Sequence, residues 1–223
     1  MNAKLLAEAL VKFILGAAVT AALVFLPAGT FTFWQGWLLM AVLFLPMLAV
    51  AMFLAVKNPG LLKKRLSAAE SDPRQKIVIA LSALVFLAGF LVAGFDRRYG
   101  WFPLPKSISI TAAILMLIGY LLYGEVLREN TYLSCTVEIQ ENQTVVDTGL
   151  YGVVRHPMYS AATVIFLAMP LVLGSAISFC VFLPYPLLLV SRIRSEEKVL
   201  EEKLPGYHEY EAKVRWRMLP GIY

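Results

Sequence analysis

The sequence predicts an all-α, polytopic membrane protein with about six crossing segments, and three observations carry that prediction. The chain of 223 residues is 59% hydrophobic and only 16% charged, against about 45–50% and about 25% in a soluble domain. Its charges are segregated: residues 13–56, 77–95, 107–124 and 156–191 contain no Lys, Arg, Asp or Glu. These runs have helix-spanning length, roughly 20 residues for a bilayer core, and lack the short alternating pattern of a membrane barrel.

The first uncharged run, of 44 residues, suits two spans. Pro27-Ala28-Gly29 supplies a turn, and Trp34 and Trp37 sit where an interfacial belt of aromatics belongs. This places segment 1 near 8–26 and segment 2 near 34–56. Glu8 interrupts the basic N-terminal stretch, and the second apolar run follows closely, so the start is not read as a cleaved leader. A loop over 57–76 carries six basic residues and two acids. Segment 3 covers about 77–95 and segment 4 about 108–127, joined by a loop with Tyr99, Trp101 and Phe102. Residues 128–155 are polar, with Thr144–Asp147 readable as a short extended piece. The apolar block 158–191 is divided by Leu173-Gly174-Ser175, the tip of a helical hairpin that makes segments 5 and 6 of about 15–17 residues each. Beyond it, residues 192–223 form a charged tail, with an amphipathic helix to about Lys203 and a break at Pro205-Gly206. The division expected is residues 1–127 for the N-terminal four segments and 128–223 for a catalytic region.

Excess Lys and Arg report topology in membrane proteins. Six spans put 17 of the 20 basic residues on one side, with only Arg97, Arg98 and Lys106 opposite. Both termini are therefore expected in the cytoplasm. The net charge of +5 is absorbed by this asymmetry and calls for no nucleic acid partner. Two histidines (His156, His208) and two separated cysteines (Cys135, Cys180) make no metal-ligand spacing and no disulfide framework. Cys180, in an apolar run, is read as packing.

The unusual residues gather on the basic side. Arg155-His156-Pro157-Met158-Tyr159 opens segment 5. It reads equally as a plain helix start at Pro157 and as a helix N-terminus facing an anionic ligand group. Arg192 and Glu196 share one helix face, as a weak surface pair or as a carboxylate-binding fork beside an acceptor of hydroxyls and amines. Glu196-Glu197 and Glu201-Glu202 read as a solvated face. Tyr207, Tyr210 and Trp216 suit interfacial anchors or a lid.

Together, Thr148-Gly-Leu-Tyr-Gly-Val-Val-Arg-His-Pro-Met-Tyr-Ser160, a hydrophobic hairpin, Arg192-Ile-Arg-Ser-Glu-Glu-Lys-Val-Leu200 and Pro205-Gly-Tyr-His-Glu-Tyr210 resemble the isoprenylcysteine carboxyl methyltransferase family over about residues 128–223. The resemblance implies a membrane enzyme that moves a methyl group from S-adenosylmethionine to a lipophilic acceptor. It implies cofactor contacts from Gln143, Thr144, Val145, Val146, Tyr151, His156, Pro157, Met158, Tyr159 and Glu196. It also implies that Arg192 holds an acceptor carboxylate, which makes Arg192 and Glu196 the catalytic pair. Leu204-Pro205-Gly206-Tyr207 is one residue shorter than the family's usual Phe-Gly-x-x-Tyr. The tail also resembles that of sterol reductases, with a His-Pro-x-Tyr turn and Leu219-Pro220-Gly221-Ile222-Tyr223, so an NADPH-dependent reductase is the alternative. A non-catalytic scaffold or transporter would require intramembrane ionisable residues, for which Glu125 is the one candidate.

Overall fold

A computed structural model describes residues 3–66, 73–133, 139 and 142–223. The regular elements among the described residues are helices: α1 (Ala3–Ala28), α2 (Trp34–Lys57), α3 (Pro59–Leu66), α4 (Pro73–Tyr99), α5 (Lys106–Glu129), α6 (Pro157–Val172), α7 (Ala176–Phe182), α8 (Tyr185–Lys203) and α9 (Tyr207–Lys213), with a 3-10 turn at Gly149–Gly152 before α6. Among the described residues, five helical runs are long and apolar enough to cross a membrane: α1, α2, α4, α5 and the stretch Ala176–Lys203. Expected segment 5 is α6, only 16 residues long. It is short because Pro157 fixes its start and Leu173-Gly174 its end, with Gly174 at φ +72°.

Segment 6 is not one straight helix. Pro184 lacks an amide hydrogen and restricts the residue before it, so α7 stops at Phe182 and α8 restarts at Tyr185. Phe182, fully buried at this corner, packs against Phe86, Phe90 and the close-approaching Gly89 of α4. The loop over 57–76 also holds an unexpected helix. Asn58 Oδ1 accepts the Leu61 amide at 3.0 Å, and Pro59 starts α3. Leu61 and Leu62 then bury against Leu54, Ala55 and Leu127. Residues 143–147 run without helix or strand pairing. Cys180 is exposed on α7 rather than packed inside, while Cys135 lies outside the described residues.

The bundle has two different ends. At one, the tip Gly174-Ser175 docks on the α4–α5 connection: the Leu104 amide donates to Gly174 at 2.7 Å and the Ala176 amide to Phe102 at 3.2 Å. Asp96, 2% exposed, accepts from Ser175 Oγ and from the Phe102 amide. At the other end gather the N-terminal half of α1, α3, the last turns of α2 and α5, the start of α6, the last turns of α8, and α9. Glu125, near the end of α5, pairs with Arg128 at 2.6 Å on an exposed face rather than inside the bundle.

Candidate functional site

The second end is organised around a residue that the sequence reading passed over. Glu197 is 2% exposed. Its Oε1 accepts from Arg155 Nε and Nη2 at 2.8 Å and lies 3.2 Å from His156 Nε2. Its Oε2 accepts from Arg217 Nε at 2.6 Å. Arg155 also meets Glu211 at 3.0 Å and donates to the Val214 carbonyl. One carboxylate therefore joins the start of α6, the middle of α8 and the C-terminal tail. The amides of Arg155 and His156 add bonds of 2.9 and 2.8 Å to the Trp216 and Arg217 carbonyls. Burying such charges is tolerable only when each is paired and hydrogen-bonded. A periodic signal pointed here: Leu189, Ile193 and Glu197 form one buried i, i+4 row on α8.

Glu196, one position over, faces elsewhere. Its Oε2 accepts from the Tyr159 hydroxyl at 2.7 Å, and that same hydroxyl accepts from Arg192 Nε at 2.9 Å. Arg192 and Glu196, expected to share a helix face, are thus linked through a phenol supplied by α6.

Two chambers flank Tyr159. The first is polar. Of the residues singled out in the sequence, it is lined by Gln143, Thr144, Val145 and Val146 from the extended stretch, by Tyr151, and by His156, Met158, Tyr159 and Glu196. Pro157 is buried in the first turn of α6 and does not line it. Asn130, Arg155, Tyr207 and Tyr210 add further polar groups, and Leu133, Leu200 and Leu204 complete the wall. Tyr210 donates to the Tyr151 carbonyl at 2.7 Å, and Asn130 donates to the Tyr151 hydroxyl at 3.0 Å. Tyr207 and Tyr210 are thus buried wall residues rather than interfacial anchors, whereas Trp216 is half-exposed. Burial pushes the phenols of Tyr151, Tyr207 and Tyr210 well above the usual tyrosine range, so all three stay protonated. The Tyr207 hydroxyl is buried with no hydrogen-bond partner among the described residues. Such orphaned donors are uncommon and mark a place where a polar group belongs.

The position of Tyr207 follows from the shortened motif. Leu204 is buried as the C-cap of α8, and Gly206 takes φ +83° to turn the chain into α9. That left-handed geometry favours glycine.

The second chamber is apolar, with a volume of about 430 Å³, within the usual range for ligand cavities. Leu43, Val78, Ile165, Phe166 and Leu189 supply much of its surface, while Arg65, Tyr123 and Arg192 add polar groups. Arg192 therefore opens on this chamber and Glu196 on the polar one. Met158 and Tyr159 line both.

Residues 108–205 match the phospholipid methyltransferase family model. The matched stretch runs from α5 through α8 and supplies part of the wall of both chambers; α2, α3 and α4 complete the apolar one and α9 the polar one from outside it. The match supports a membrane methyltransferase. The chain is also 25% identical over 170 residues to YpbQ, an uncharacterised protein of Bacillus subtilis, covering 74% of this chain and 96% of that protein. It is 26% identical over 135 residues to a Delta(14)-sterol reductase of Mus musculus, and 28% identical over 158 residues to a probable 7-dehydrocholesterol reductase of Acanthamoeba polyphaga mimivirus. These cover 54% and 61% of this chain but only 32% and 33% of the two reductases. The chain spans about a third of their length.

Proposed function

We propose that the protein is an S-adenosylmethionine-dependent methyltransferase that methylates an acidic oxygen, a carboxylate, on a lipophilic acceptor, in the manner of the isoprenylcysteine carboxyl methyltransferases. The observation that carries this reading is the shared wall. A polar chamber and an apolar chamber meet at Met158 and Tyr159, with Glu196 on one side of the Tyr159 phenol and Arg192 on the other. A reaction between a polar donor and a lipophilic acceptor needs that arrangement, since proximity and orientation supply much of the rate.

The residues of the polar chamber suit S-adenosylmethionine. Tyr207 offers a buried hydroxyl without a partner, Glu196 a carboxylate acceptor for hydroxyls or an amine, and Tyr151 an aromatic surface. The extended stretch 143–146 brings backbone polar groups alongside. When bound, this cofactor supplies a methyl group already activated by its sulfonium, so no metal and no covalent enzyme intermediate is required. Arg192 aligns the acceptor carboxylate through a planar fork. That group is ionised at neutral pH, so no general base is required. The apolar lining excludes water from the nucleophile. The basic excess at the end bearing these groups supports a cytoplasmic orientation for it.

A reductase would use NADPH in the polar chamber. The two reductase relatives favour it, but each match reaches only about a third of the relative, whereas the methyltransferase match takes in the α6 wall between the chambers and the α8 residues Arg192 and Glu196. Thermal unfolding in detergent separates the two. Bound at 100 times its Kd, a ligand adds about 2.7 kcal/mol. S-adenosylhomocysteine is expected to stabilise the wild type, to lose most of that effect in Glu196→Gln, and NADPH to do nothing. Stabilisation by NADPH with none from S-adenosylhomocysteine would overturn the reading.

A further inference from the structure

The apolar chamber carries a second cation, and it comes from outside the matched region. Asn58 and Pro59 fix the start of α3, and buried Leu61 and Leu62 fix its roll against the ends of α2 and α5. Arg65, three and four residues later, lies on the neighbouring strip of the same short helix and lines the chamber together with Arg192. Its guanidinium donates to the Tyr123 hydroxyl, lies 5.5 Å from the centre of that ring, and reaches Met158 Sδ at 3.7 Å. Met158 is half of the wall between the chambers. Arg65 is thus held where a methyl group would be transferred, and not at the remote end of the cavity. Among the described residues that line this chamber there is no Asp or Glu.

We propose that Arg65 and Tyr123 complete, with Arg192, a subsite for the anionic head of an amphiphilic acceptor, and that Arg65 sets the preference for an acid over a neutral or amine-bearing amphiphile of the same chain length. This rests on the methyltransferase reading of the two chambers. Two partly buried guanidinium groups lining one largely apolar chamber favour an oxyanion and disfavour an ammonium group. Arg65 adds donors from a second helix to those of Arg192, so the head is held in orientation as well as in place. The first half of the chain thereby acquires a direct role in substrate choice, beyond lending apolar wall.

The test is binding of palmitate and of hexadecanol, in detergent, to protein already holding S-adenosylhomocysteine, for the wild type, Arg65→Gln and Arg65→Lys. The wild type is expected to bind palmitate more tightly than hexadecanol. Arg65→Gln is expected to lose about tenfold or more in palmitate affinity, the loss of charge-assisted bonds, with hexadecanol and S-adenosylhomocysteine binding unchanged. Arg65→Lys, which keeps the charge without the fork, recovers part of the loss. Equal palmitate affinity in wild type and Arg65→Gln, an equal fall for hexadecanol, or no palmitate binding by the wild type would each overturn the proposal. If Arg65→Gln no longer holds S-adenosylhomocysteine, Arg65→Lys decides: a loss confined to palmitate supports the subsite and unchanged affinity overturns it. A wild type that binds palmitate but never S-adenosylhomocysteine refutes the methyltransferase reading instead.

Discussion

Replacing Glu197 with Gln changes almost nothing in volume and removes one buried charge. In the folded protein that charge faces Arg155, whose side chain is 3% exposed, together with His156 and Arg217. Arg217 is 37% exposed and can turn to water. Arg155 cannot, and among the described residues retains the Glu211 carboxylate, at 3.0 Å and itself 29% exposed, and the Glu211 and Val214 carbonyls. Removing one partner of a buried pair costs about 3–5 kcal/mol. The surviving Glu211 contact argues for the lower end, about 3 kcal/mol. For a chain of this size that corresponds to a fall in Tm of roughly 6–12 °C. Thermal unfolding of the purified protein in detergent, with no ligand present, measures it. The double variant Glu197→Gln/Arg155→Met should be less destabilised than the sum of the singles, because the two groups share one interaction. A loss below about 1 kcal/mol, with strict additivity in the double variant, would refute the view that this carboxylate joins α6, α8 and the tail.

Two further outcomes follow from the geometry. Tyr159→Phe keeps the ring in its cluster with Tyr185, Leu189 and Ile193 but removes the hydroxyl between Glu196 and Arg192. Methyl transfer from labelled S-adenosylmethionine into a lipid extract should fall roughly 10- to 100-fold, the worth of one or two hydrogen bonds to charged groups, with Tm nearly unchanged. Gly206→Ala forces a left-handed backbone on alanine at a cost of about 1–2 kcal/mol. It should lower Tm and weaken S-adenosylhomocysteine binding together, because Gly206 is the N-cap of the helix that carries Tyr207 into the polar chamber.

The sequence disclosed what depends on long patterns and on glycine or proline punctuation. The four long helices α1, α2, α4 and α5, the hairpin tip at Gly174, the extent of α8 to Lys203 and the break at Pro205-Gly206 were all readable. Tyr151 and His156–Tyr159 were legible through the family resemblance, which falls on this one continuous stretch; all but Pro157 and the flanking glycine and valines reach the polar chamber wall. Glu197 was hidden by composition: in a run of four glutamates within seven residues, only its place in the Leu189–Ile193 row distinguishes it from a solvated neighbour. Helix α3 was hidden because eight residues with three cations resemble a loop, and its stability comes from packing Leu61 and Leu62 on helices distant in sequence. Arg65 followed it out of sight. Asp96 read as a loop residue because its partners, Ser175 and the Phe102 amide, are set only when the hairpin tip docks.

Asp96 also has a mechanical consequence. Helix α6, which carries the wall between the chambers, is fastened at its far end through the Ser175 tip to a buried carboxylate on α4, and at its near end through Arg155 and His156 to a buried carboxylate on α8. It behaves as a beam clamped at both supports. Swinging it aside as a rigid body would break one anionic anchor whichever end served as the pivot. The wall at Met158 and Tyr159 is thus a stationary reference, against which both ligands are registered while their surroundings adjust to admit them.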